Sequence, residues 1–110
     1  MISLNSLLIS PLLPGVVFII AAFISQRYPP KKINATYGYR TQKSMQNEEN
    51  WQLANKYSSK LMIKVGVMLA LAGLVFSFLV SDMMISGILT AVLTVAAAMM
   101  IFFFTERQLK

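Results

Sequence analysis

The stretch MISGILTAVLTVAAAMMIFFF, residues 84–104, decides the fold of this chain. It carries no charged residue and is long enough to cross the hydrocarbon core of a bilayer as a helix. Its side chains are apolar all round, whereas a helix of a soluble domain keeps a polar face. The surroundings of this segment are therefore lipid or other helices. We expect a membrane-spanning helix.

Two further apolar blocks precede it. Residues 61–80 are interrupted only by Lys64, whose charged end can reach back to the lipid headgroups. Residues 7–25 contain two prolines and a glycine near their start, which predict a kinked or irregular beginning. Because no basic residue precedes this block, it is interpreted as a retained span and not a signal peptide. The prediction is an all-α membrane protein with three transmembrane helices in a single domain, residues 1–110.

Small residues recur at helical spacing in both later blocks. They are Gly66, Ala70, Gly73 and Ser77 in the second, and Gly87, Ala91, Thr94 and Ala98 in the third. Such rows let two helices approach closely in a membrane. The short connection between the blocks favours a hairpin of the second and third spans. The same faces could instead be buried between copies, so a homodimer is a second expectation.

The composition narrows the function classes. Hydrophobic residues make up 56% of the chain, and there is neither cysteine nor histidine. This removes thiolate chemistry, the commonest metal ligand and the commonest general base, so we expect no metal site, no cofactor and no hydrolase. The net charge of +6 lies beside apolar spans. Anionic lipid headgroups are therefore the expected partner, and nucleic acid is not.

Lysine and arginine positions predict the orientation. The loop of residues 26–60 and the C-terminal tail are basic, while the N-terminus and the turn at Ser81 carry no basic residue. The positive-inside rule then places the loop and the tail in the cytoplasm and the N-terminus outside.

The second half of that loop contains a helix start. Asn47 is a capping residue, and Glu48 and Glu49 follow as acids in the first turn. Beyond them, small and apolar residues recur at helical spacing. They are Trp51, Ala54, Asn55, Ser58, Leu61 and Met62. The pattern predicts a short cytoplasmic interfacial helix that either bends or runs directly into the second span.

The candidate functional residues lie between Asn34 and Asn55. The pattern is N-x3-G-Y-R-T-x2-S-x2-N-x3-W-x2-A-N, with Asn34, Gly38, Tyr39, Arg40, Thr41, Ser44, Asn47, Trp51 and Asn55 at its defined positions. It resembles the signature of the SdpI family of small bacterial membrane proteins, whose namesake protects a toxin-producing bacterium from its own secreted peptide toxin. The resemblance implies a multi-pass inner-membrane immunity protein. It also implies signal transduction by holding a cytoplasmic regulatory protein at the membrane.

The chain departs from the family pattern at two positions. Gln42 stands where the family has proline, and Ser59 stands where it often has glycine. Both positions bear on the shape of the loop more than on its chemistry. The namesake also has further spans ahead of the matching region, so this chain resembles its C-terminal domain.

Arg40 is the strongest single binding candidate. Its planar guanidinium can hold a carboxylate or a phosphate through two hydrogen bonds, and it stays charged at any relevant pH. It could anchor a pocket for an anionic group. The alternatives are an ion pair with Glu48 or Glu49, or contact with a lipid phosphate.

The other motif residues have structural interpretations. Trp51 and Tyr57 are expected to anchor the chain in the aromatic belt of the membrane interface. The side chains of Asn34, Thr41, Ser44 and Asn55 are expected to satisfy backbone groups of an irregular loop.

Two further function classes compete with immunity. A membrane-interface enzyme would use Glu48 and Glu49 as acid, base or metal ligands, with Arg40 as an electrostatic clamp. A small transporter would need an ionisable residue in mid-membrane, and the spans carry only Lys64, near an edge. The sequence therefore favours a non-enzymatic protein.

Overall fold

The computed structural model describes residues 4–110, and these residues form four helices. They are α1 (Leu4–Leu8), α2 (Leu12–Arg27), α3 (Glu48–Leu79) and α4 (Met83–Gln108). An irregular loop joins α2 to α3, and we call its residues 28–47 the docked loop. The molecule is elongated, with extents of 50 × 24 × 21 Å. Its long axis exceeds the hydrocarbon thickness of a bilayer, about 30 Å, by roughly the depth of one headgroup layer on each side.

Helices α3 and α4 are each long and apolar enough to cross a membrane. Helix α2 has 16 residues and therefore measures about 24 Å, short of the hydrocarbon core. The apolar block of residues 7–25 is divided because α1 ends at Leu8 and Pro11 directly precedes α2. Proline is tolerated at such a helix start but would interrupt a helix running through it. The expected irregular beginning is confirmed, and it leaves two helices of full spanning length among the described residues.

Helix α3 contains both the predicted interfacial segment and the second apolar block. The Asn47 side chain accepts a hydrogen bond from Asn50 N at 2.8 Å, and Glu48 and Glu49 form the first turn, so the expected helix start is confirmed. The helix then continues for 32 residues to Leu79. Of the two expected geometries, the direct continuation is found, and the interfacial segment is the first part of α3.

The row of small residues on α3 packs against α2. A Cβ atom added to Gly66 would lie 2.8 Å from the Gly15 carbonyl oxygen, and one added to Gly73 would overlap the backbone of Leu12. The prediction that this row serves the hairpin with α4 is therefore wrong. Helix α2 brings a glycine of its own to the contact, so two backbones can approach there.

The contact of α3 with α4 is built from larger side chains. Val65 and Leu69 form a buried cluster with Ala97 and Ile101 of α4. The row predicted on α4 is not its buried face, since Ala91 and Ala98 are exposed. Three of these four side chains are branched, so this contact is filled mainly by side chains and not by close backbone approach.

Two hydroxyl groups of α4 form hydrogen bonds at the break between α1 and α2. Ser86 and Thr90 donate hydrogen bonds to the Ile9 carbonyl oxygen at 3.0 and 2.8 Å. This carbonyl lies where the helical pattern is interrupted. Helix α4 thus satisfies a backbone group that would be costly to leave unpaired in lipid.

Candidate functional site

The docked loop is attached to α3 through Asn55. Its side-chain oxygen accepts a hydrogen bond from Tyr39 N at 2.6 Å, and its amide nitrogen donates to Tyr39 O at 3.5 Å and to Trp51 O at 2.9 Å. The Asn55 amide therefore pairs with both backbone groups of Tyr39, as a neighbouring strand would. A buried side chain on a rigid helix fixes the position of this loop residue.

Gly38 is required at this attachment for two reasons. Its φ of +104° lies in a region that side-chain-bearing residues rarely adopt. A Cβ atom would also lie 2.6 Å from the Asn55 side-chain oxygen and 2.8 Å from Cγ of Pro30. The glycine of the motif therefore allows the loop backbone to lie directly on α3.

Trp51 lies beneath the loop. Its side chain has 0% exposure, and its indole Nε1 donates to the Pro30 carbonyl oxygen at 2.6 Å. The prediction that Trp51 anchors the protein in the aromatic belt is therefore wrong. The polar end of the ring finds its partner inside the protein, and the apolar body is covered by the loop. Tyr57, for which the same role was expected, is half-buried.

Asn34 shapes the first part of the loop. Its side-chain oxygen accepts hydrogen bonds from Thr36 N at 3.0 Å and Tyr37 N at 2.6 Å, which is an Asx-type turn. The Tyr37 hydroxyl then donates to the Tyr28 carbonyl at 2.5 Å, so the turn is joined to the end of α2. Arg40 donates from Nε to the Asn34 carbonyl at 3.0 Å and is otherwise exposed. This hydrogen bond goes to a backbone carbonyl and not to Glu48 or Glu49, whose ion pair with Arg40 was one of the alternatives.

Thr41 and Ser44 close a second turn. Thr41 N donates to the Ser44 hydroxyl at 2.8 Å, and Ser44 N donates to the Thr41 hydroxyl at 3.1 Å. Ser44 is fully buried. The reciprocal pair satisfies two loop N–H groups and leaves the Thr41 hydroxyl hydrogen free to reach another element.

That element is α4, through Glu106. One carboxylate oxygen of Glu106 accepts hydrogen bonds from the Tyr39 hydroxyl at 2.8 Å and from the Thr41 hydroxyl at 2.6 Å. Burial raises the pKa of Tyr39 above its ordinary value, and the hydrogen bond to Glu106 raises that pKa further. The loop is thus bonded to both long helices, and sequence reasoning missed Glu106. The available signal was that Glu106 is the one acid among residues 83–108.

Asn50 makes a parallel link that was also missed. Its amide nitrogen donates to the carbonyls of Lys43 at 3.0 Å and Lys110 at 3.1 Å. It therefore joins the docked loop to the C-terminal tail. Asn50 lies one turn before Ala54 on the buried stripe of α3, and this register could have identified it.

Three of the candidates lie outside this network. Glu48 and Glu49 are exposed first-turn residues, and Asn47 is the exposed cap of the same helix. Among residues 4–110, no group of three or more His, Cys, Asp or Glu residues could hold a metal ion.

A cleft of about 240 Å³ opens beneath the docked loop. Its polar lining comes from α2, the loop and α3, and includes Ser25, Tyr39 and Ser58. Its apolar lining includes Met62 of α3 and Ile101 of α4. The cleft therefore presents polar and apolar groups at the place where the loop meets the bundle.

The pattern of the SdpI/YfhL protein family matches residues 31–105, which include most of the docked loop, all of α3 and most of α4. The curated "Uncharacterized protein YfhL" of Bacillus subtilis (strain 168) is 41% identical over 99 residues, covering 90% of this chain and 84% of that protein. No solved structure matches this chain.

Proposed function

This chain belongs to the SdpI/YfhL protein family, and from that membership we propose that it protects a bacterium against a secreted peptide toxin. The observation that best supports the proposal is the docked loop. Its motif residues are fixed by side chains of two long helices, through Asn55 on α3 and Glu106 on α4. A surface that is ordered before its ligand arrives loses less conformational entropy on binding.

The proposal includes a topology of three spans. The block of residues 7–25 would cross the bilayer in spite of its break, since Ser86 and Thr90 satisfy the exposed carbonyl of Ile9. Irregular backbone is tolerated at membrane depth when protein groups cover it in this way. The basic loop and tail would then lie in the cytoplasm, with the N-terminus outside the inner membrane.

The cleft beneath the loop is the proposed place of contact with a toxin that has entered the bilayer and reached its cytoplasmic side. A peptide that enters membranes carries both apolar side chains and backbone polar groups. Tyr37 and Tyr39 offer hydroxyl and ring surfaces, while Met62 and Ile101 offer apolar surface. Binding alone would keep the peptide from acting on the bilayer, so no catalytic step is needed. The same face, held at the cytoplasmic side, would also be available to a regulatory protein.

The enzymatic alternative receives less support from the geometry. Glu48 and Glu49 remain exposed at a helix start, where acids complement the helix dipole. The buried side of the Glu106 carboxylate is engaged by two hydroxyls. A carboxylate oxygen that already accepts two hydrogen bonds from the protein has a structural role and is poorly placed to accept a proton from a substrate.

Toxin challenge tests the proposal directly. A sensitive bacterium would express the chain, or Gly38→Ala, or the exposed double variant Glu48→Gln/Glu49→Gln, at matched membrane levels beside a toxin-producing strain. We expect the native chain to raise survival, Gly38→Ala to lose that protection, and the double variant to keep it. Equal survival with and without the native chain would refute the immunity proposal. Loss in the double variant alone would favour the interface enzyme.

A further inference from the structure

A second cavity, of about 420 Å³, lies between the end of α2 and the second to fourth turns of α3. We call it the lysine cavity. Its polar lining includes Lys31, Lys56, Lys60, Gln26, Gln52 and Ser59. It shares Ser25 and Asn55 with the cleft beneath the loop and is larger than that cleft. Its volume is in the range of sites that enclose a small ligand or a headgroup.

The charges around the lysine cavity are of one sign. Lys56 and Lys60 are four residues apart on α3, so they share a face and repel each other. Lys31 approaches the same space from the docked loop, and the described residues that line the cavity include no carboxylate. All three lysines are exposed, so their aliphatic stems supply much of the wall, and an anion bound at the mouth of the cavity would reduce the repulsion between their charges.

The nearest acids do not fulfil that role. Glu49 precedes Lys56 by seven residues on α3, roughly 10 Å along the helix axis, which is about one Debye length at physiological ionic strength. Glu106 on α4 is engaged by Tyr39 and Thr41. The lining lysines are therefore not balanced by a lining carboxylate, which favours an external anion as their partner.

The chemistry of the lining selects a phosphate group. Lysine ammonium groups bind phosphate as point charges, and Gln26 and Gln52 add amide donors. The Ser59 hydroxyl already donates to the Lys56 carbonyl at 3.0 Å, so it can only accept. This lining matches a phosphodiester linked to a hydroxyl-bearing head, whose hydroxyl can donate to Ser59.

The surface next to the cavity is apolar. Pro29 and Pro30 form part of its wall, and Phe23 and Ile24 on the preceding turn of α2 are 63% and 49% exposed. If the lysines hold the anionic headgroup of a lipid, its acyl chains would therefore lie along this apolar surface of α2. A cavity lined by lysines and an apolar surface thus lie side by side, as the binding of an amphiphile requires.

We propose that the lysine cavity binds the phosphodiester headgroup of an anionic membrane phospholipid, between Lys31 and the Lys56–Lys60 pair. The site rests on the proposed topology, which puts the cavity at the depth of the cytoplasmic headgroups. Such a lipid would hold the end of α2 against α3 and so support the loop next to the cleft beneath it.

Lipid retention by the purified full chain tests this site. The chain would be held in detergent with added dioleoyl phosphatidylglycerol or dioleoyl phosphatidylcholine, and native mass spectrometry would count bound lipids. Lys56→Gln/Lys60→Gln removes two charges from the cavity. Lys32→Gln/Lys64→Gln removes two charges from exposed positions outside its lining. We expect phosphatidylglycerol affinity to fall about tenfold or more in the first pair and to remain in the second.

Three results would overturn the site: an equal fall in both pairs, equal retention of phosphatidylcholine by the native chain, or displacement of the lipid by millimolar inorganic phosphate. The last result would identify a soluble phosphate ligand instead. Lys31→Gln against Lys32→Gln repeats the comparison within the loop, so one poorly folded variant does not decide the outcome. No toxin is present in this measurement, so its failure is distinct from failure of the immunity proposal.

Discussion

The contact of α2 with α3 and the contact of the docked loop with α3 lie on the same helix but are stabilised in different ways. At the first, Gly15 and Gly66 allow the two backbones to come together, so that a Cβ atom added to either would overlap backbone atoms of the other helix. At the second, the buried polar side chains of Asn50, Trp51 and Asn55 hold irregular backbone in place. One contact depends on shape alone and the other on paired polar groups.

The difference follows from the backbone that each contact must cover. Helices satisfy their own peptide groups, so α2 needs only close packing against α3. The loop has no such internal pairing, so α3 must supply donors and acceptors to it. The face of α3 therefore presents small residues such as Gly66 and Gly73 where it contacts α2, and amide or indole side chains at Asn50, Trp51 and Asn55 where it contacts the loop.

The largest effect is expected at Gly73. In Gly73→Ala the new Cβ atom overlaps backbone atoms of Leu12, which cannot move without displacing α2. Overpacking against backbone should lower the free energy of unfolding by about 3 kcal/mol, more than the roughly 1 kcal/mol gained in helix propensity. Thermal unfolding in detergent measures it. Gly87→Ala is the matched control, because its Cβ atom would lie 3.6 Å from Ile9 Cγ2, an ordinary contact. An unchanged midpoint for Gly73→Ala would show that α2 is not packed as described.

A smaller loss is expected at Gly38, where the polar contact is tested. Gly38→Ala places a side chain at φ +104° and against Asn55, at a cost of about 2 kcal/mol. The loop should open before the helices separate, so proteolysis within residues 28–47 should rise more than the unfolding midpoint falls. Ala35→Ser, at an exposed loop position, serves as the control. Equal proteolysis of the two variants would contradict the role given to the glycine.

Predictions from the sequence were correct for those helices and turns that depend on one local property. Apolar length alone identified α3 and α4, and the Asn47 cap with its following acids identified the start of α3. The backbone-satisfying roles of Asn34 and Asn55 followed from their residue type in an irregular segment. These are local signals that need no knowledge of a distant partner.

Predictions that required a partner were less successful. The small-residue row of α3 was correct as a packing face, but its spacing does not identify which helix covers it. The position of Trp51 next to an apolar span is typical of an interface anchor. The residue is buried because the loop folds back over it and accepts its indole hydrogen bond at Pro30. Glu106 is separated from Tyr39 by 67 residues, so no local pattern joins them.

The bond between the loop and α4 predicts a dependence on alkaline pH. The pKa of Tyr39 is raised in the folded protein by burial and by Glu106, so folding favours the neutral phenol. Its contribution to stability is complete below the ordinary tyrosine pKa of about 10 and declines as pH rises above that value. Unfolding midpoints measured from pH 8 to 11 should fall at the alkaline end less steeply in Tyr39→Phe than in the native chain. Parallel curves for the two proteins would contradict the link.

The smallest effect on stability is expected at Arg40, so a substitution there can test protection without a change in folding. Arg40 is exposed, and its hydrogen bond goes to one backbone carbonyl, that of Asn34. Arg40→Ala should therefore change the free energy of unfolding by no more than about 0.5 kcal/mol. If the guanidinium contacts an anionic group of the toxin or a partner, protection should fall while the unfolding midpoint stays within about 2–4 °C of the native value. Lys32→Ala removes an equally exposed charge nearby and should leave both quantities unchanged. Full protection by Arg40→Ala would confine the contact surface to the tyrosines of the cleft, because the loop itself remains docked through Asn55.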